Sequence, residues 1–281
     1  MLRRVWILIA MFVCAVAWGG AHDGDVAATA DAHRHDKPVA TPAATTPPRT
    51  DVVGEAVDYG SIDGTTLTGY IARPADAVAD TPALIVIHEW WGLNDNIRQT
   101  AERLAGEGYV ALAVDLYGGE SASVPKDAMK LMQRLTNDTD RADENLRQAH
   151  AYLADTVGAP RVGSIGWCLG GRWSLRTAIL LPDSLDAAVI YYGTVVTDEE
   201  SLAPLQMPVL GNFAEDDPII PLDTVAAFEQ TMTRLGKDVD VKVYEGAKHA
   251  FSNPSGLAYN AEAAADAWER TTSFLAAHLS D

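Results

Sequence analysis

The run Ala83-Leu84-Ile85-Val86-Ile87-His88 is apolar on both of the faces a strand would present. Such a strand must be covered on both sides, which points to the centre of a parallel sheet and away from a half-wet antiparallel edge. Comparable short strands read at 109–114, 161–166, 186–192, 208–214 and 239–244. Helical patterns fall between and after them, at 96–106, 124–135, 140–156, 169–181, 222–235 and 259–279. Strands alternating with helices form right-handed βαβ units. The expected class is therefore α/β, a doubly wound, mostly parallel sheet flanked by helices. Ahead of these units, residues 53–71 alternate around Asp63-Gly64, a turn signal between two strands.

Active sites of such sheets lie at the carboxyl ends of the strands. At one of those ends stands Gly166-Trp167-Cys168-Leu169-Gly170-Gly171. A Gly-x-nucleophile-x-Gly spacing lets a buried strand turn sharply into a helix and lifts the central side chain into a pocket. Once deprotonated, a thiol there is a strong nucleophile. Acyl transfer needs a base. His88, His150, His249 and His278 are the histidines of the folded part; His150 and His278 sit in helical patterns, and His88 precedes the nucleophile. His249 follows the last strand and is the candidate base. An acid to orient it belongs between the two, after a strand end, where Glu215-Asp216-Asp217 stands. Asp217 is the first choice and Asp216 the reserve. The oxyanion of a tetrahedral intermediate needs N–H donors. The backbone N–H groups of Leu169 and Trp90 are the candidates, one at the elbow and one in the loop after an early strand. Glu89 either caps the next helix or partners the thiol.

The chain has 281 residues, 48% hydrophobic and 21% charged, enough for one large α/β domain. Its net charge of −18 repels phosphate and argues against nucleic acid as partner. Residues 1–21 read as a signal peptide, with Arg3 and Arg4 ahead of an apolar run at 5–18 and then Gly19-Gly20-Ala21. That run is shorter than the ~20 residues a membrane span requires. The expected location is periplasmic or secreted; the alternative is a membrane anchor through residues 5–18, with no stable membrane partner otherwise. Residues 22–50, rich in Ala, Thr and Pro, read as a disordered linker, and its scattered histidines as solvated. Residues 51–281 are the folded domain, expected to be a monomer. Removal of the signal leaves Cys168 as the one cysteine, without an internal disulfide partner.

Taken together, His88-Glu89-Trp90-Trp91-Gly92-Leu93-Asn94, Asp115-Leu116-Tyr117, the elbow, Tyr191-Tyr192-Gly193, residues 217–221 and His249-Ala250-Phe251 resemble the dienelactone hydrolase family, within the α/β-hydrolase fold. The resemblance runs from about residue 52 to 279. It implies hydrolysis of a carboxylic ester or lactone by a Cys-Asp-His triad, without metal or organic cofactor. It also implies that Glu89 pairs with Cys168 at rest and is displaced by substrate. Family members that act on dienelactones grip a substrate carboxylate with arginines; here Gly118 and Gly119 stand at one such place and Asn253 at the other. Trp91, Tyr117, Tyr192 and Arg172 are the candidates for contacting substrate, the aromatics equally readable as core. A small ester, lactone or thioester is the expected substrate. The competing readings are a non-catalytic binding or sensor domain on the same scaffold, and an acyltransferase or thioesterase.

Overall fold

The computed structural model describes residues 46–280. The expected signal and residues 22–45 of the expected linker lie outside them. Eight strands form one sheet in the order β1-β2-β4-β3-β5-β6-β7-β8. β1 (Val52–Ile62) and β2 (Thr65–Pro74) are an antiparallel hairpin around Asp63 and Gly64, both at positive φ. β2 pairs antiparallel with β4 (Val110–Val114). β3 (Ala83–Ile87), β5 (Val162–Trp167), β6 (Ala187–Tyr191), β7 (Val209–Ala214) and β8 (Val239–Tyr244) then complete a parallel sheet with β4.

Period-two alternation divides each central strand between two cores. Leu84, Val86, Ala111 and Ala113 face α1 (Asp95–Gly106) and the closing helix α7 (Ala261–Leu279). Ile85, Ile87, Leu112 and Val114 face the other layer. That layer holds α2 (Pro125–Asn137), α3 (Thr139–Ala151), α4 (Leu169–Leu180) and α6 (Leu222–Arg234). Each branched side chain so buried contributes up to ~1.5–3 kcal/mol. A buried ion pair, Arg176 Nη2 to Asp143 Oδ2 at 2.5 Å, ties α4 to α3 and so anchors the helix behind the elbow.

Several boundaries differ from the sequence expectation. The helix expected over 140–156 ends at Ala151 and continues as a single π turn, Tyr152–Val157, closed by Gly158 in the left-handed region. α7 begins at Ala261 because Asn260 Oδ1 accepts the Ala263 N–H and caps it. A four-residue helix, α5 (Glu199–Leu202), is new; Asp198 caps it. The end of the expected linker is corrected as well. Pro48 and Arg49 lie against Gly106, where a Cβ would sit 2.7 Å from each, and Arg49 pairs with Glu107 at 3.0 Å. The domain therefore takes in residues before Asp51.

Candidate active site

Cys168 joins β5 to α4 at φ 55° and ψ −116°, outside the regions favoured by side-chain-bearing residues. The flanking glycines are there for space. A Cβ on Gly166 would lie 2.1 Å from Gly170 O, and one on Gly170 would lie 2.2 Å from Ile87 O. Cys168 donates its N–H to Tyr191 O at 2.9 Å, which stitches the turn to β6. Leu169 opens α4, where the first N–H groups have no acceptor within the helix and the dipole favours negative charge. Four non-glycine residues among those described have positive φ, and three of them gather here: Cys168, Tyr192 (36°) and Ala250 (64°). At about 1–3 kcal/mol each, such strain collects where function holds it in place.

The loops after β7 and β8 are zipped together by backbone bonds. Glu215 N–H reaches Tyr244 O at 3.0 Å and Asp216 N–H reaches Ala247 O at 2.9 Å. Gly246 N–H adds a bond to Glu215 Oε2 at 2.8 Å. This zipper delivers Asp217 to His249. Asp217 Oδ2 lies 2.7 Å from His249 Nδ1, and Oδ1 accepts the N–H groups of Ile219 (2.8 Å) and Ile220 (3.1 Å). The side chains of His249 and Asp217 are 2% and 1% exposed. A carboxylate can only accept, so Nδ1 carries a proton, and Nε2 is the ring nitrogen turned away from Asp217. Asp216, the reserve choice, is exposed.

Glu89 follows β3 and is buried. Its loop is anchored by His88. Leu116 N–H donates to His88 Nε2 at 3.2 Å, so Nδ1 holds the proton and donates to Glu89 O at 2.6 Å. Burial pushes the His88 pKa below its ordinary value. His88 is thus a neutral structural residue, in keeping with its position before the nucleophile. Glu89 Oε2 accepts from Asn253 Nδ2 at 2.9 Å. The amide is oriented, since Asn253 Oδ1 is taken by Ser255 N–H at 2.9 Å. Capping of α1 falls to Asn94, whose side chain accepts Ile97 N–H, and not to Glu89. Asn253 was missed as a partner of Glu89; its position four residues after His249 was the one available signal.

Tyr192 connects the parts. Its ring centroid lies 5.2 Å from that of His249, and its hydroxyl bonds Ser252 Oγ at 2.7 Å. Burial, and then the charge of Glu89, holds the Tyr192 hydroxyl well above the ordinary tyrosine range, with a smaller push from Cys168. Tyr117 is raised in the same way by burial first and then by Cys168, and its hydroxyl donates to Trp90 O at 3.1 Å. The expectation of an apolar substrate wall is corrected in part. Trp91 and Tyr192 expose no surface; Trp91 belongs to the core cluster shared with Tyr117 and Ala122, and Tyr192 packs against Phe251, so in this conformation both are core. Tyr117 lines a cavity of about 500 Å³ whose walls include Leu67, Asp115 and Arg134 but none of Cys168, Asp217 or His249. Arg172 is half-buried on the first turn of α4.

The sequence profile of the dienelactone hydrolase family matches residues 67–279. The chain belongs to that family. It is similar to "Protein usf" of Aquifex pyrophilus, 35% identical over 81% of this chain and 100% of that protein. It is similar also to the "Putative carboxymethylenebutenolidase" of Aquifex aeolicus (strain VF5), 32% identical over the same shares. Among solved structures, a dienelactone hydrolase-like promiscuous phosphotriesterase from metagenomic libraries superposes with a TM-score of 0.74. It is 26% identical, over 81% of this chain and 98% of that one. This dienelactone hydrolase family member is a carboxylic ester hydrolase with the α/β-hydrolase fold. Gly118 and Gly119, which follow Tyr117, adopt positive φ (68° and 93°). An arginine side chain there would be strained. Among the described residues no group of three or more His, Cys, Asp or Glu could hold a metal ion.

Proposed function

We propose that this chain hydrolyses small carboxylic esters or lactones through a thioester on Cys168, with His249 as base and Asp217 as its orienting acid. One observation carries the reading: the buried 2.7 Å Asp217–His249 bond, whose ring lies against Tyr192, the residue after the Tyr191 carbonyl that holds the Cys168 N–H. In this scheme His249 Nε2 takes the thiol proton and the sulfur attacks the carbonyl carbon. The N–H groups of Leu169 and Trp90 hold the oxyanion. The tetrahedral intermediate collapses, the C–O bond breaks, and the imidazolium returns its proton to the leaving alkoxide. Water, deprotonated by His249, then attacks the thioester and releases the acid and the thiol. For a lactone the leaving hydroxyl stays on the acyl chain.

Glu89 is assigned as partner of the resting thiol. When substrate enters, the Asn253 amide is the contact that keeps its carboxylate satisfied. With glycines and Asn253 at the arginine places, a neutral ester fits better than an anionic dienelactone. The mature chain is proposed to act outside the cytoplasm, on the strength of Arg3, Arg4 and the apolar run that follows; the N-terminal mass of the isolated protein checks this.

The decisive experiment is p-nitrophenyl acetate turnover with intact-mass detection of an acyl group. Wild type is expected to gain an acetyl group on Cys168. Cys168→Ala should lose both the adduct and turnover while melting at the wild-type temperature. Wild-type turnover in Cys168→Ala would end this mechanism. Product analysis with added alcohol separates hydrolysis from acyl transfer.

A further inference from the structure

The loop after His249 is tied at two points to the segment that begins with Glu89. It leaves at Phe251 and returns at Asn260, whose N–H bonds Phe251 O at 2.9 Å and closes its ends. Inside it, Asn253 N–H reaches Ala250 O at 2.9 Å and Gly256 N–H reaches Asn253 O at 3.1 Å. The first tie is the bond from Asn253 Nδ2 to Glu89 Oε2. The second comes from Asn96, in the first turn of α1, whose Nδ2 donates to Ser255 Oγ at 2.8 Å. The two ties share a member. Asn253 Oδ1 accepts the Ser255 N–H at 2.9 Å, so the residue clasped by Asn96 also fixes the rotation of the amide that serves Glu89. The bonds run in series from Asn96 to Ser255, to Asn253, to Glu89, and Asn96, Asn253 and Glu89 are all buried. Buried bonds linked in this way support one another, and the loss of one loosens the next.

Packing alone does not explain an amide at position 96. Its Oδ1 is buried and, among the described residues, has no hydrogen-bond partner. An apolar side chain would leave no such orphan, and local rules of this kind are broken where a function holds the residue in place. Nor does α1 need the side chain. Asn94 caps the helix, and it is the backbone carbonyl of Asn96 that takes the Thr100 hydroxyl, at 2.8 Å. What the amide supplies is its donor to Ser255.

We propose that Asn96 and Ser255 are positioning residues of the ester hydrolysis, which clasp the 251–260 loop so that Asn253 presents its amide to Glu89. Each acts through Asn253 and not on the substrate. Released from the clasp, the amide turns, and the buried Glu89 carboxylate loses a donor that favours its charged form. The catalytic part of this assignment rests on the role of Glu89 proposed above; the orientation of Asn253 does not.

The test is a double-mutant cycle on the full chain with two readouts. Steady-state kinetics with p-nitrophenyl acetate report the catalytic part. Side-chain amide NMR signals of Asn253, assigned by their loss in Asn253→Ala, report its orientation through their exchange with water. Asn96→Ala and Ser255→Ala should each lower kcat/KM about three- to tenfold, and their double variant should be no worse than either. In an Asn253→Ala background, Asn96→Ala should cost less than about twofold more. Exchange of the Asn253 amide should quicken at least about tenfold in Asn96→Ala. Thr100→Ala, which disturbs the same turn of α1 without touching the amide, should change neither readout. If Asn96→Ala does not fold, Ser255→Ala, at the half-buried end of the clasp, carries the same cycle. Effects that multiply across Asn96→Ala and Asn253→Ala would reduce Asn96 to a stability role and overturn the proposal. So would an Asn253 amide that exchanges as in wild type, or an equal loss in Thr100→Ala. Quickened exchange with unchanged kcat/KM would overturn the catalytic part alone. Wild-type turnover in Cys168→Ala, with quickened exchange in Asn96→Ala, would instead end the thioester mechanism and leave the clasp standing.

Discussion

Two buried carboxylates belong to the candidate site, and the protein holds them in different ways. Asp217 is fastened by its own turn: two backbone N–H groups and the His249 ring occupy its oxygens, and the loops that carry it are zipped by main-chain bonds. Glu89 takes a side chain from a distant loop, the Asn253 amide, and its own loop is held by His88, by the Tyr117 hydroxyl on Trp90 O and by the Ala122 N–H on Trp91 O. Backbone donors in a tight turn cannot swing away, whereas an amide on a rotatable side chain can follow its partner. The first arrangement suits a group that must hold one imidazole tautomer, the second a group that changes partners during turnover.

The contrast can be broken at four places. Asp217→Asn should cost the most, a fall of roughly 10³–10⁴ in kcat with the fold intact, because the imidazole loses its tautomer and its counter-charge. Steady-state kinetics against the melting temperature decide it. Next is Asn253→Asp, which sets a carboxylate against Glu89; a loss of about 10–100-fold in kcat/KM is expected, from the ~1–3 kcal/mol of an uncompensated buried partner. The pH profile should shift so that activity recovers on the acid side, where the pair shares a proton. Asn253→Ala, which removes the bond without adding charge, should cost less and leave the profile in place. If Asn253→Asp and Asn253→Ala share one profile, Asn253 does not act through Glu89.

The third place is His88. Its folded pKa lies below the ordinary value, so the unfolded chain binds a proton that the folded chain refuses. Stability should be full above the unfolded value of about 6.5 and fall as the pH drops below it. Thermal melts between pH 8 and 5 should slope downward by about 1.4 kcal/mol per unit at most, and His88→Asn should flatten that slope at a lower starting stability. The smallest effect belongs to Asp216→Asn. As an exposed side chain it should stay within about 0.5 kcal/mol and retain activity. A large loss there would return Asp216 to contention as the orienting acid.

Much of this arrangement could be read in the chain before folding, because the patterns involved are local. Apolar runs of strand length, the alternation that splits them between two cores, and the glycines around Cys168 each obey rules that act within a few residues. They dictate a parallel sheet with a thiol at a strand end and a histidine after the last strand. Sequence order put Asp217 first and Asp216 in reserve without a physical difference between them; the zipper between the β7 and β8 loops supplies one, since it buries the Asp217 side chain against His249 and leaves Asp216 exposed. The Glu89–Asn253 bond, the docking of Pro48 and Arg49 on α1, and the burial of Trp91 and Tyr192 have the same origin. Each depends on contacts between segments far apart in sequence, whose geometry exists only once the sheet has brought them into register.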